Sequence, residues 1–146
     1  MSIYLQKINY SDQNLINKLL ELRNEEETRN NSLNTNIITP EIFQNIILKY
    51  KESNIDPFII YQNEIPIGII SFVKNNDEIF IGINIDKNYR NKGIGNLALE
   101  LTIKELKNTK IIAKIKKNNT NSIKLFSKYF KYHKECSQFI EYIHSS

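Results

Sequence analysis

Ile83-Asn84-Ile85-Asp86-Lys87-Asn88-Tyr89-Arg90-Asn91-Lys92-Gly93-Ile94-Gly95 is the stretch on which the reading of this chain turns. Its first residues close a run from Glu78 to Asp86 in which Ile79, Ile81, Ile83 and Ile85 alternate with Phe80, Gly82 and Asn84, the period of a strand. A charged turn with two glycines follows. It leads directly into Ile94, Leu97, Ala98, Leu101, Ile103 and Leu106, whose largely helical spacing predicts a helix from near Gly93 to about Lys107. A strand that turns into a helix in this way points unpaired backbone N–H groups out of the helix N-terminus, a place that attracts phosphate. Gly93 and Gly95 remove Cβ atoms where a diphosphate would touch the backbone, and Arg90 and Lys92 add positive charge. The same glycines also suit a plain tight connection. The nucleotide-triphosphate loop is excluded, because four residues do not separate the glycines and no Gly-Lys-Ser/Thr follows. The dinucleotide fingerprint is weakened: Ala98 stands where its third glycine belongs, a tolerated variant, but the strand before the loop is part of a mid-chain meander.

That meander is read from Phe58-Ile59-Ile60-Tyr61, a turn near Asn63-Glu64, Ile67 to Val73, a second turn at Asn75-Asn76-Asp77, and the Glu78 strand. Toward the N-terminus, Ile3 to Asn9 reads as a short strand. Ser11 offers a cap to a helix carrying Leu15, Ile16, Leu19, Leu20 and Leu22 as far as Asn24. Glu25 to Asn36 is polar and reads as a loop or a broken helix. Thr39-Pro40-Glu41 opens another helix, with Thr39 as cap and Pro40 at its first position. Beyond the loop, Ile111 to Lys117 is a strand, Ser122 to Lys131 a short helix, and Phe139 to Ile143 a last strand. The order is strand, two helices, three antiparallel strands, helix, strand, helix, strand. It predicts a mixed α/β (α+β) domain over residues 1–146, with a mostly antiparallel sheet covered by about four helices.

Composition limits the partners. The chain has 146 residues, 40% of them hydrophobic and 25% charged, ordinary values for one compact domain. No apolar run is long enough for a membrane helix and no secretory signal is evident, so a cytoplasmic protein is expected. The net charge of +4 is spread among acidic residues, which argues against a nucleic-acid surface and suits a small polyanion. Cys136 is alone and the two histidines are far apart, so no disulfide and no metal site are expected.

The quoted stretch resembles the strand and Arg/Gln-x-x-Gly-x-Gly/Ala loop of the GCN5-related N-acetyltransferase (GNAT) superfamily. A second match is Asn119-Thr120-Asn121-Ser122-Ile123-Lys124-Leu125-Phe126-Ser127-Lys128-Tyr129-Phe130, similar to that superfamily's later Asn and Leu-Tyr-x-Lys-x-Gly-Phe helix. The resemblance implies a GNAT-like fold and an N-acetyltransferase that uses acetyl-coenzyme A as co-substrate. It implies that Asn91, Lys92, Gly93, Ile94 and Gly95 hold the diphosphate through loop amides, with Arg90 near it. Ile85 would pair its backbone with the pantetheine arm, Asn119 would bond the pantetheine amides, and Lys128 would approach the nucleotide end.

Acetyl transfer needs a neutral amine, a polarised thioester carbonyl and a proton for the leaving thiolate. The family's usual proton donor is the Tyr of the Leu-Tyr pair, and here that position is Phe126. Tyr129 stands three residues on, in place of a glycine, and is the substitute candidate; the alternatives are water or the ammonium product. Asn84 can position substrate or a water. Among Glu25, Glu26 and Glu27, Glu26 represents the candidate base, against the plainer reading of a solvated turn. Leu22-Arg23-Asn24 and the stretch to Glu41 resemble, more distantly, the family members that acetylate nucleotide-linked amino sugars, as in pseudaminic acid synthesis. That makes Arg23 and Asn24 candidate substrate contacts, although Phe43 and Ile46 replace that group's His and Trp. A peptide or other small-molecule amine acceptor, or a non-catalytic acyl-coenzyme A-binding module, remains as the alternative. A monomer or homodimer is expected.

Overall fold

A computed structural model describes residues 2–145, so the two ends of the expected 1–146 domain lie outside the described residues. Seven strands form one sheet in the order β1-β2-β3-β4-β5-β7-β6. The meander is β2 (Phe58–Gln62), β3 (Ile65–Asn75) and β4 (Glu78–Ile85), with β1 (Ile3–Lys7) antiparallel on the outer edge of β2. Its two turns have paired positive φ angles, at Asn63 and Glu64 and at Asn76 and Asp77, the left-handed pair that matches the twist of a two-residue hairpin. The other half is β5 (Ile111–Lys116), β7 (Phe139–His144) and β6 (Lys131–Glu135), again antiparallel.

Among the described residues the halves pair only where β4 lies parallel to β5, through Phe80 beside Ile112 and Ile81 beside Ala113. From Gly82 to Ile85 the two strands diverge, and β4 has a neighbour on the β3 side alone. This gap positions the site.

Helices cover both faces of the sheet. On one, α1 (Gln13–Asn24) and α3 (Pro40–Glu52) bury Leu15, Leu19, Phe43 and Ile47 against Ile59 and Ile69. On the other, α4 (Ile94–Glu105) and α5 (Thr120–Phe126) bury Ala98, Leu99 and Phe126 against Ile60, Ile70, Phe72 and Ile111. Ile59 and Ile60 face opposite cores, as strand alternation requires. A short fifth helix, α2 (Glu26–Asn30), interrupts the polar stretch after α1.

Three expectations are corrected. The cap of α1 is Asp12, whose Oδ1 accepts from Leu15 N–H at 3.1 Å. Ser11 instead donates its backbone N–H to Asn9 Oδ1. The helix expected over Ser122 to Lys131 starts at Thr120 and ends at Phe126. Phe130 N–H still bonds the Phe126 carbonyl at 2.8 Å and the two rings meet edge to face, so the four-residue spacing that looks helical is one closing turn. Lys131 then begins β6, an exposed edge strand that has no apolar alternation to betray it.

Candidate functional site

Asp86 N–H donates to the Ile67 carbonyl at 2.8 Å across the β3–β4 pair. Antiparallel alternation therefore turns the N–H and C=O groups of Ile83 and Ile85 to the opposite edge, into the gap beside β5. The chain then makes a 3₁₀ turn at Lys87–Tyr89 and enters α4 through two left-handed residues, Asn91 (φ 61°) and Gly93 (φ 77°). Gly93 is the cap position of α4. No side chain bonds the cap, and the first turn carries no acidic residue. Since the first helical bond runs from Leu97 N–H to the Gly93 carbonyl, the N–H groups of Ile94, Gly95 and Asn96 precede the ladder. These three residues line a cavity of about 540 Å³ that also takes in Ile83, Asn84, Ile85 and Asn119. Gap and helix N-terminus thus open into one space.

The cavity's far wall is α2, held by Arg90. Its guanidinium makes four hydrogen bonds: Nε to the Ile85 carbonyl (3.0 Å), Nη1 to Glu27 Oε2 (2.8 Å), and Nη2 to Thr28 Oγ1 (3.0 Å) and Glu25 Oε2 (3.4 Å). Thr28 Oγ1 in turn donates to Asn84 Oδ1 at 3.2 Å. Burial pushes the Glu25 carboxyl up, but the Thr28 N–H and the Arg90 guanidinium outweigh it and hold the group below the usual carboxylate range. Behind Arg90, Lys18 Nζ meets Asp86 Oδ2 at 2.9 Å, tying α1 to the end of β4. The bond to Asp86 raises the Lys18 ammonium above its ordinary range against the effect of burial. Burial likewise opposes the shift at Asp86, whose carboxyl is nonetheless lowered by Lys18 and by the Asn88 N–H.

The residues expected at the site fall into distinct groups. Asn84, Ile85, Arg90, Asn91, Gly93, Ile94, Gly95, Asn119 and Lys128 all line the cavity. Arg90, expected at the diphosphate, instead spends its guanidinium on α2 and the Ile85 carbonyl, so of Ile85's two backbone groups the N–H is the one open to the gap. Asn119 caps α5 by accepting from Ser122 N–H at 3.2 Å, which leaves its Nδ2 for the cavity. Lys128 Nζ donates to Asn96 Oδ1 at 3.2 Å. Lys92 is exposed and sets its ammonium 5.6 Å from the Tyr89 ring.

Others stand elsewhere. Tyr129 lies past the end of α5 and packs against the α4–α5 core, outside the cavity lining. Phe126 is buried in that core at 3% exposure, and its neighbour Leu125 faces the cavity. Glu26 is exposed on α2 and lines neither this cavity nor a smaller one behind Arg90. Asn24 is closed on itself as a potential contact, its amide exchanging two hydrogen bonds with the Ile38 backbone. Arg23 turns inward: Nη2 donates to the Asn34 carbonyl, Nη1 is buried without a partner among the described residues, and burial lowers its pKa. Thr28, Asn31, Ser32, Asn121 and Leu125 line the cavity without having been singled out from sequence. For Thr28 the only signal was its place beside the three glutamates.

The comparisons with known proteins agree with this geometry. A family model described as the acetyltransferase (GNAT) family matches residues 16–132. The chain belongs to that family. As a GNAT acetyltransferase it is an acetyl-coenzyme A-dependent acyltransferase. Among solved structures, a domain from Methanocaldococcus jannaschii DSM 2661 is 25% identical with a TM-score of 0.80, each chain covered to 99%. The ribosomal-protein-alanine N-acetyltransferase of Brucella melitensis is 15% identical, with a TM-score of 0.77 and coverage of 98% of this chain and 99% of that one. Aminoglycoside acetyltransferase AAC(6')-Ib in complex with coenzyme A is 16% identical, with a TM-score of 0.73 over 99% and 95%. At such identities the last two likenesses are of fold. No curated protein matches the sequence. Among the described residues, no helix is long and apolar enough to cross a membrane, and no cluster of His, Cys, Asp and Glu could hold a metal ion.

The GNAT chain's own residues fit the co-substrate. The α4 N-terminus, with no side-chain cap, suits an anion, and Gly93 leaves open space within 4 Å of where a Cβ would stand; Gly95 instead serves packing, since a Cβ there would come within 3.3 Å of Leu125. The gap edge of β4 supplies peptide groups for an amide-bearing arm.

Proposed function

We propose that this GNAT acetyltransferase is a single-domain enzyme that acetylates the primary amine of a nucleotide-linked amino sugar. The N–H groups of Ile94, Gly95 and Asn96 hold the diphosphate of acetyl-coenzyme A. The gap edge of β4 at Ile83 and Ile85, with Asn119 Nδ2, receives the pantetheine amides, and Lys128 stands toward the nucleotide end. The neutral amine attacks the thioester carbonyl carbon; the C–N bond forms, the C–S bond breaks, and the ammonium proton ends on the thiolate sulfur or in water. With Phe126 buried and Tyr129 outside the cavity, this second route for the proton needs no side-chain acid.

The observation that carries the acceptor reading is the pair of lysines on one face of β5. Phe80 pairs with Ile112, so strand alternation sets Lys114 and Lys116 on the same sheet face as Asn84. Lys114 is exposed with its ammonium 4.0 Å from the Phe139 ring, and Lys116 Nζ reaches the Asn30 carbonyl beside α2. Two cations on the sheet face that carries Asn84 suit an acceptor that brings its own phosphates, and in this reading they take the place of Arg23 as the contact. A thiol-release screen over sugar-nucleotide amines, free amino sugars, polyamines and peptides tests the reading. Saturation is expected with the sugar nucleotides. Lys114→Ala with Lys116→Ala should raise the acceptor KM about tenfold and leave the acetyl-coenzyme A KM unchanged, a loss of about 1.4 kcal/mol. Saturation with peptides and none with sugar nucleotides overturns it.

A further inference from the structure

The contact between Thr28 and Asn84 joins residues 56 positions apart, on α2 and β4, at the wall of the cavity. Its direction follows from hydrogen-bond chemistry. A guanidinium only donates, so the 3.0 Å bond from Arg90 Nη2 takes a lone pair of Thr28 Oγ1 and leaves the hydroxyl proton to be given elsewhere. The structure sets it toward Asn84 Oδ1 at 3.2 Å, with the Glu25 carboxylate beside Thr28 as the competing acceptor, so the carboxamide atom facing Thr28 is the oxygen. Nδ2 is then turned away from α2, and it meets no acceptor among the described residues although Asn84 is half-buried and lines the cavity. A half-buried donor without a protein acceptor, in a cleft that binds an acyl group, is suited to an oxygen that gains negative charge.

We propose that Thr28 is a positioning residue for acetyl transfer: held by Arg90, it locks the Asn84 amide so that Nδ2 is presented to the acetyl carbonyl oxygen. This rests on the acetyl-coenzyme A reading of the cavity, and it does not depend on which amine is the acceptor. Asn84 is the group that touches the reacting atoms. Thr28 acts through it, and Arg90 acts through Thr28, which accounts for a cofactor-loop arginine that turns its charge away from the cofactor.

The experiment compares wild type with Thr28→Val, which keeps the shape and removes the hydroxyl, with Thr28→Ser, which keeps the hydroxyl, with Asn84→Ala, and with the Thr28→Val/Asn84→Ala pair. Thr28→Val should lower kcat tenfold or more, on the order of the loss of one oxyanion donor, with the acetyl-coenzyme A KM and the calorimetric affinity for coenzyme A within about twofold. Thr28→Ser should restore kcat to within about threefold, and the pair should be no slower than Asn84→Ala alone, as expected of residues acting as one unit. Isotope-edited infrared spectra of bound acetyl-coenzyme A, labelled at the acetyl carbonyl, supply a readout without turnover. The carbonyl band should lie lower in wild type and Thr28→Ser than in Thr28→Val and Asn84→Ala. A band unchanged across all four proteins, a Thr28→Ser as impaired as Thr28→Val, or additive losses in the pair would overturn the proposal. If no amine is turned over, the acceptor reading fails and the band comparison still decides the role of Thr28.

Discussion

Arg90 and Asp86 are four positions apart and hold the same corner in different ways. Arg90 uses the planar fork of its guanidinium to reach Glu25, Glu27, Thr28 and the Ile85 carbonyl together, which a lysine ammonium cannot do. Arg90→Lys should cost about 1–3 kcal/mol by urea unfolding and lower kcat with little change in coenzyme A affinity; a loss of affinity alone would return Arg90 to the phosphates. Asp86 is buried with Lys18 against it. Because its folded pKa is lowered, its contribution is complete above the unfolded carboxyl value of about 4 and is lost as pH falls through the lower folded value. Lys18 is raised, so its contribution is complete below about pH 10 and is lost as pH rises through the folded value. Thermal unfolding of wild type and Asp86→Asn should therefore differ by a constant margin between about pH 5 and 9, and the margin should shrink below about pH 4. A margin that persisted into acid would mean that packing, and not the ion pair, is what Asn disturbs.

α4 shows which elements were legible in the amino-acid sequence and why. Its start was readable because Gly93, Gly95 and the flanking charges are local, and its length because Ile94, Leu97, Ala98, Leu101, Ile103 and Leu106 recur at largely helical spacing, although the buried face is Ile94, Ala98, Leu99 and Thr102 and Leu97 is exposed. The meander was readable for the same reason: isoleucine alternation between Asn and Asp turns is contained within each strand and its hairpin. β6 was not, since every residue from Lys131 to Glu135 is exposed and an edge strand of this kind takes its identity from the partner it pairs with. The α2 wall was not either, because Arg90 and Thr28 are 62 positions apart and only the folded sheet brings them together. The uncapped start of α4 carries a prediction with two opposite signs. Asn96→Glu places a carboxylate in the first turn, which should stabilise the unliganded protein by about 0.3–1 kcal/mol through the helix dipole. The same charge would oppose a diphosphate at that turn and weaken coenzyme A binding about tenfold, about 1.4 kcal/mol. Calorimetry with Asn96→Gln as the neutral control separates the two; unchanged affinity would place the diphosphate elsewhere.

The sheet is two antiparallel halves joined at a seam of two residue pairs, Phe80 with Ile112 and Ile81 with Ala113. Each half has its own continuous pairing, and the core of α4 and α5 runs beneath both, so the seam is where the sheet alone contributes least. The cavity opens beyond that seam, where the strands diverge, walled by β4 and α4 on one side and by Asn119, Ser122 and Leu125 of the second half on the other. A ligand threaded beside β4 would supply hydrogen bonds that β4 and β5 do not make to each other beyond Ile81, and so would extend the sheet as well as occupy a site. Binding to the folded state alone at one hundred times the dissociation constant stabilises by about 2.7 kcal/mol. If the ligand bridges the seam, that gain reaches both halves. Hydrogen exchange with saturating coenzyme A should slow the amides of Ile83 and Ile85 and of Ile94, Gly95 and Asn96, which touch it, and also those of β5 and β7 across the seam. Protection confined to the α4 turn would mean that the diphosphate is held and the arm is not threaded between the strands. The Ile85 amide is the most telling probe, because its carbonyl is already taken by Arg90 and its N–H faces the gap.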